Sequence, residues 1–172
     1  AWRLVEQRRL QQAQLILAAS AMEAQAIRLR LTTQDVRTCP LGVAVEALQP
    51  SRPEARSKNI LFLGRLHPIK GLDLALQAWS DIAAGTEWTL TIAGPGEPAF
   101  VSELRALTER LNIAGCVRFT GPLHGQTKKD ALTHSAALIL PSRSENFGMV
   151  VCEALAHGTP VITTHTTPWA DV

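Results

Sequence analysis

From Asn59 onward, short apolar runs take turns with stretches of helical spacing, and this alternation limits the fold more than any other feature of the chain. Asn59–Leu63 reads NILFL, too short for a stable helix and closed by Gly64. Leu72–Ile82 then sets Leu72, Leu76 and Trp79 on one side at helical intervals. Trp88–Ala93, Val117–Phe119, Ala136–Leu140 and Pro160–Thr163 repeat the strand signal. Pro98–Leu111, Thr127–His134 and Met149–Ala156 repeat the helical one, with Pro98 suited to a helix start. The order βαβαβαβαβ predicts an α/β fold, a parallel sheet flanked by helices through right-handed crossovers. Trp79 and Trp88 are expected in its core.

The first third of the chain is less regular. Trp2–Gln14 predicts a helix with one apolar side, and Leu15–Ala19 a short strand. Ser20 and Glu23 form a capping box for a helix over Ala21–Leu31, whose end carries Arg28 and Arg30. Val36–Cys39 reads as a brief strand ended by Pro40 and Gly42. Glu46–Ser57, with Pro50, Pro53, Ser51 and Ser57, reads as a linker, which places a domain boundary after residue 57. A chain of 172 residues suits one domain plus part of another. It starts without Met and stops at Val172 with no closing element, so it is expected to be a piece of a longer protein.

Composition excludes several classes. A net charge of +2 gives no argument for nucleic acid. No apolar run approaches the ~18 residues of a membrane span. Cys39, Cys116 and Cys152 form no CxxC pair, which suits a reducing compartment. The histidines have no HExxH or paired-ligand spacing, so no metal site is expected.

Open α/β sheets bind ligands outside the carboxyl ends of their strands. Four loops fall there: Gly64–Gly71, Gly94–Glu97, Gly121–Gly125 and Pro141–Gly148. The first carries Arg65 and Lys70, which could hold a diphosphate or simply be solvated loop charges. GxxxxGK[ST] and GxGxxG are both absent, which disfavours a P-loop and a nicotinamide dinucleotide. Glu145 and Glu153 flank the start of the Met149–Ala156 helix, where free N–H groups favour anions. A carboxylate beside a bound diphosphate would repel it. Either the two glutamates accept from neutral hydroxyls, such as the vicinal diols of a nucleotide-sugar, or they are a helix-start charge and a solvated helix residue.

The wider wording bears on that choice. Pro141-Ser142-x-x-Glu145-x-Phe147-Gly148, followed by Glu153-Ala154-x-Ala156-x-Gly158-x-Pro160-Val161-Ile162, resembles the donor-binding signature of retaining GT-B glycosyltransferases of the GT4 type, the glycosyl transferases group 1. Gly64-Arg65-Leu66-x-x-x-Lys70-Gly71 is similar to that family's second signature. Ile92-Ala93-Gly94-x-Gly96 and Val117-x-Phe119-x-Gly121 match weaker patterns in the same order. Ser20-x-Met22-Glu23-Ala24 and Pro40-Leu41-Gly42-Val43 look like the segments leading into the donor domain. Leu41 and Ala44 stand where the family usually has Asn and often Asp.

The resemblance implies that residues 58–172 form a Rossmann-like donor domain, one half of a GT-B architecture. Residues 1–57 would be the tail of the acceptor domain and the interdomain linker. It implies transfer of a hexose from a nucleotide-sugar, such as a UDP- or GDP-sugar, with retention of configuration and with neither cofactor nor metal. Arg65, Lys70 and Glu145 would be catalytic. The two cations would meet the diphosphate, and Glu145 the hexose hydroxyls. Gly64, Gly94, Arg118, Asn146, Phe147, Gly148 and Glu153 would line the donor, with Glu153 on the ribose and Arg118 near the base. The acceptor, a glycan or lipid-linked glycan in polysaccharide biosynthesis, would be bound by the missing domain, so this chain alone would turn over nothing. The expected location is cytoplasmic, free or peripheral at the inner face of the membrane. A nucleotide-sugar epimerase and a non-catalytic nucleotide-binding module are the rival readings.

Overall fold

The computed structural model describes residues 9–31, 35–43, 56–83 and 85–169. Most of the Trp2–Gln14 stretch and of the Glu46–Ser57 linker lies outside them; residues 9–12 are helical. The first unit pairs β1 (Leu15–Ala18) in parallel with β2 (Asp35–Thr38) and connects them through α1 (Ala21–Arg28). Ser20 caps α1 by accepting from the Glu23 N–H at 3.1 Å. The Glu23 carboxylate reaches back to the N–H of Ala19 at 2.7 Å, one residue beyond the usual capping-box partner.

The second unit holds β3 (Ser57–Leu63), α2 (Leu72–Ala83), β4 (Thr89–Ala93), α3 (Pro98–Arg110), β5 (Val117–Gly121), α4 (Gly125–His134), β6 (Ser135–Leu140), α5 (Met149–Ala156) and β7 (Val161–Thr163). Its five strands are all parallel, in the order β5-β4-β3-β6-β7. The chain therefore starts at the centre, builds outward through β4 and β5, then returns to the other side of β3 to lay down β6 and β7.

That order buries both faces of the central strand, and its sequence shows why. Side chains alternate between faces with period two. On one face Phe62 joins Leu72, Leu76 and Trp79 of α2, Leu90 and Ile92 of β4 and Leu104 of α3. On the other, Leu61 and Leu63 meet Leu132 of α4, Leu138 of β6 and Ala154 of α5. A strand covered on both sides reads as an unbroken apolar run, as NILFL does.

Two expectations are corrected. Trp79 is core, but Trp88 is 38% exposed. It immediately precedes β4, at the amino edge of the sheet. Ser57, expected at the end of the linker, begins β3, and Arg56 is bound to the domain as well. The Arg56 guanidinium Nη1 lies 2.8–2.9 Å from the carbonyls of Thr133 and Ser135 and from the Thr159 hydroxyl, and Nη2 donates to the Gly158 carbonyl at 2.7 Å. One side chain thus ties the end of α4, the start of β6 and the turn before β7. Replacing Arg56 by Ala is expected to destabilise the domain by about 2–3 kcal/mol, as charged hydrogen bonds are lost and acceptors orphaned. Arg56→Lys should recover little, because an ammonium cannot span the same set. Thermal unfolding checks this, and a melting point unmoved by Arg56→Ala would refute it.

Candidate functional site

The strand order reverses between β3 and β6, and in open α/β sheets that reversal leaves a crevice at the carboxyl ends. A cavity of about 520 Å³ opens there. Gly64 and Arg65 come to it from β3, Gly94 and Pro95 from β4, Pro122 to Gly125 and Lys128 from β5 and α4, and Met149, Val150 and Glu153 from α5. Three of the four loops singled out in the sequence meet around one space.

The floor of this space is tightly held. Gly64 donates to Ala93 at 2.9 Å, Leu66 to Pro95 at 2.7 Å and Gly94 to Gly121 at 2.9 Å, so the strand pairing continues into the loops. Gly94 has φ +146°, and a Cβ built on it would lie 1.8 Å from the Gly64 carbonyl oxygen. The loops themselves require glycine at that position, whatever enters the cleft.

Arg65 is exposed on the cavity wall, with no hydrogen-bond or ion-pair partner among the described residues. Glu153 is half-buried, and its carboxylate accepts from Lys128 at 2.7 Å. Lys128 was not foreseen as a site residue. Its signal was its place in the first turn of a helix opening at the carboxyl edge, but the contact joins residues 25 apart in sequence.

A second group sits at the β3–β6 junction. Lys70 and Glu145 form an ion pair at 2.5 Å, with side chains only 19% and 13% exposed. Ser142, fully buried, also donates to the same Glu145 oxygen at 3.2 Å. The Ser142 carbonyl accepts from the Thr164 hydroxyl at 2.6 Å and from that of Thr166. Phe147 is buried, and its carbonyl accepts from the Trp169 indole N–H, whose ring meets the Phe147 ring edge-on at 5.3 Å. Gly148 is the N-cap of α5 with φ +80°, a conformation that favours glycine. The segment after β7 therefore braces the Pro141–Gly148 loop at Ser142 and at Phe147.

Of the residues proposed from sequence, Gly64, Arg65, Gly94 and Glu153 line one cavity. Lys70 and Glu145 are paired beside it, and Phe147 and Gly148 form the entry to α5. Asn146 is exposed on the same loop. Arg118, expected near the base, is instead exposed as the second residue of edge strand β5, away from the carboxyl end, and is not among the lining residues.

Arg143, also unforeseen, forks onto Asp73 at 2.6 and 2.8 Å. The hydrogen bond from Arg143 holds the Asp73 carboxyl below its ordinary range, so the pair is ionised at neutral pH and is lost only as pH falls through that lowered value. Burial, with the Glu153 charge beside it, pushes the Cys152 thiol up, which disfavours the thiolate. Among the described residues no group of three His, Cys, Asp or Glu side chains comes together, and no helix is long and apolar enough to cross a membrane.

Residues 57–172 match the family model described as glycosyl transferases group 1. A D-inositol 3-phosphate glycosyltransferase of Corynebacterium jeikeium is 30% identical, over 95% of this chain and 44% of its own length. An uncharacterized glycosyltransferase of Methanocaldococcus jannaschii is 36% identical, over 61% of this chain and 26% of its own. The chain thus spans less than half of these relatives. Among solved structures, Anabaena HepE, crystallised with UDP and glucose, superposes with a TM-score of 0.82 at 20% identity, covering 96% of this chain and 48% of HepE. WaaG, a glycosyltransferase of lipopolysaccharide biosynthesis, gives a TM-score of 0.75 at 20% identity, over 90% of this chain and 45% of WaaG.

Proposed function

The chain belongs to the glycosyl transferases group 1 family, and on that premise we propose that it carries the nucleotide-sugar donor site of a retaining hexosyltransferase. One observation supports this best: Arg65, a cation with no partner among the described residues, and a carboxylate set back on a helix, Glu153, line the same glycine-floored cleft at the sheet's reversal point. A diphosphate needs the first and a ribose diol suits the second.

In this reading Arg65 grips the donor diphosphate as a planar fork and Lys70 adds a point charge. Negative charge grows on the diphosphate as the sugar departs, so both cations act more strongly in the transition state than in the ground state. Glu145 accepts from hexose hydroxyls, and the backbone N–H groups after Asn146, at Phe147 and Gly148, face the sugar and phosphate. Glu153 accepts from the ribose, exchanging Lys128 for the diol; Arg118, outside the cleft lining, has no part in this reading. The chemistry uses no metal, and the rest of the protein supplies the acceptor glycan site.

The test is a calorimetric panel of UDP-, GDP- and ADP-hexoses on the full-length protein. At least one should bind, and Arg65→Ala should weaken it about tenfold or more. The melting point should stay unchanged, since Arg65 is exposed and unpaired. Absence of binding across the panel, or an affinity untouched by Arg65→Ala, would favour a scaffolding module. Conversion of a labelled nucleotide-sugar without acceptor would favour an epimerase.

A further inference from the structure

Lys70 and Glu145 come from loops far apart in sequence, and their pair is short and largely shielded from water. Such a pair is favourable only while its geometry is held, because both charges have given up hydration. The question is what holds it. The Gly64–Gly71 loop and the Pro141–Gly148 loop touch at several other points, and Arg143 supplies most of them. Its backbone N–H donates to the Ile69 carbonyl at 2.8 Å. Its guanidinium Nη1 donates to the Pro68 carbonyl at 2.8 Å, and the same group forks onto the Asp73 carboxylate in the first turn of α2. Lys70 lies between these anchor points, in the turn Pro68–Lys70. Beyond it, the space a Cβ at Gly71 would fill is taken by the Pro141 carbonyl oxygen, at 2.1 Å. The two loops are therefore latched on both sides of Lys70 along the chain.

We propose that Arg143 and Asp73 are positioning residues of the donor site, clamping the Lys70 loop to the Glu145 loop so that both charges face the donor in one fixed arrangement. This rests on the donor-site reading for its purpose, but the clamp itself can be tested without it. Both clamp side chains are well exposed, at 44% and 38%. Exposed pairs add little to global stability. The clamp therefore acts on geometry and not on whether the domain folds. A bracing pair that merely held the fold together would show the opposite signature.

Amine-acylation footprinting of this chain reads the pair directly. In the wild type Lys70 should react slowly and Lys58, on an exposed pair, quickly. In Arg143→Ala and in Asp73→Asn, Lys70 should react on the order of tenfold faster, with Lys58 unchanged and the melting point within about 3 °C. Arg143→Lys should rescue only in part, because one ammonium cannot bond the Pro68 carbonyl and both Asp73 oxygens together. Arg56→Ala serves as the control for general loosening: it should lower the melting point without singling out Lys70. In the full-length protein, Arg143→Ala should lower kcat about tenfold and leave the donor KM within twofold, as expected for misplaced groups. An unchanged Lys70 rate in both clamp variants overturns the proposal, and so does a rise matched by Arg56→Ala. If the wild type binds no nucleotide-sugar while Lys70 still responds to Arg143→Ala, the donor-site reading fails and the clamp stands.

Discussion

Replacing Gly94 by alanine is expected to cost the domain about 4 kcal/mol and to lower its melting point by roughly 15 °C. Two effects add. At φ +146° any side chain strains the backbone, and the new Cβ would sit 1.8 Å from the Gly64 oxygen and 2.7 Å from its carbonyl carbon. Both are main-chain atoms, so no rotamer change relieves the contact. β3 and β4 would have to part just where Gly64 donates to Ala93 and Gly94 to Gly121. The same movement would carry Arg65 off the cavity wall, so, if Arg65 grips a donor as proposed, donor binding should be lost with the stability. Gly121→Ala is the comparison, since it shares a positive φ of 73° but has nothing within 4 Å of the added carbon. It should cost only the conformational part, about 1 kcal/mol. Thermal unfolding of the two variants separates strain from collision. Equal losses in both would show that the collision does not matter.

The contrast between these glycines shows what sequence could and could not supply. Gly94 and Gly121 stand at equivalent places, each ending a strand in a glycine-rich turn, and spacing treats them alike. Only the approach of a neighbouring strand tells them apart. Elsewhere the periodicities were enough: α5 runs over Met149–Ala156 as its pattern predicts, and the βαβ alternation leads to the parallel five-stranded sheet. Element starts were missed where they are polar. β3 begins at Ser57 because Arg56 and Ser57 bind the backbone around α4 and β6, not because they are apolar. α4 begins at Gly125, two residues before the predicted start, because a helix that opens on glycine carries little helix signal there. For the site, the individual charges were legible and their partners were not. Arg65, Lys70, Glu145 and Glu153 could be picked out by residue type and position in loops. The pairs Lys128–Glu153 and Arg143–Asp73 join residues 25 and 70 apart, and such contacts exist only once the crossovers are folded.

Lys70→Met alone is expected to destabilise the domain by about 3 kcal/mol, because it leaves the Glu145 carboxylate desolvated with only the Ser142 hydroxyl beside it. Glu145→Leu alone should do similar harm by stranding the Lys70 ammonium. The double variant should recover most of the loss, since two apolar side chains in that space owe nothing to water. Chemical unfolding of the four proteins measures this as a coupling energy, expected at about 2–3 kcal/mol. Strictly additive losses would mean that the two charges do not depend on one another, and the short contact would then carry no weight. Function should not follow stability. If Lys70 meets the departing diphosphate and Glu145 the hexose, the double variant is folded and inert, with transfer by the full-length protein down at least about a hundredfold. A double variant that regains both stability and transfer would show that the pair serves only the packing of its two loops. A stable but inactive one assigns it to the chemistry, because the restored fold removes instability as the cause of the lost rate.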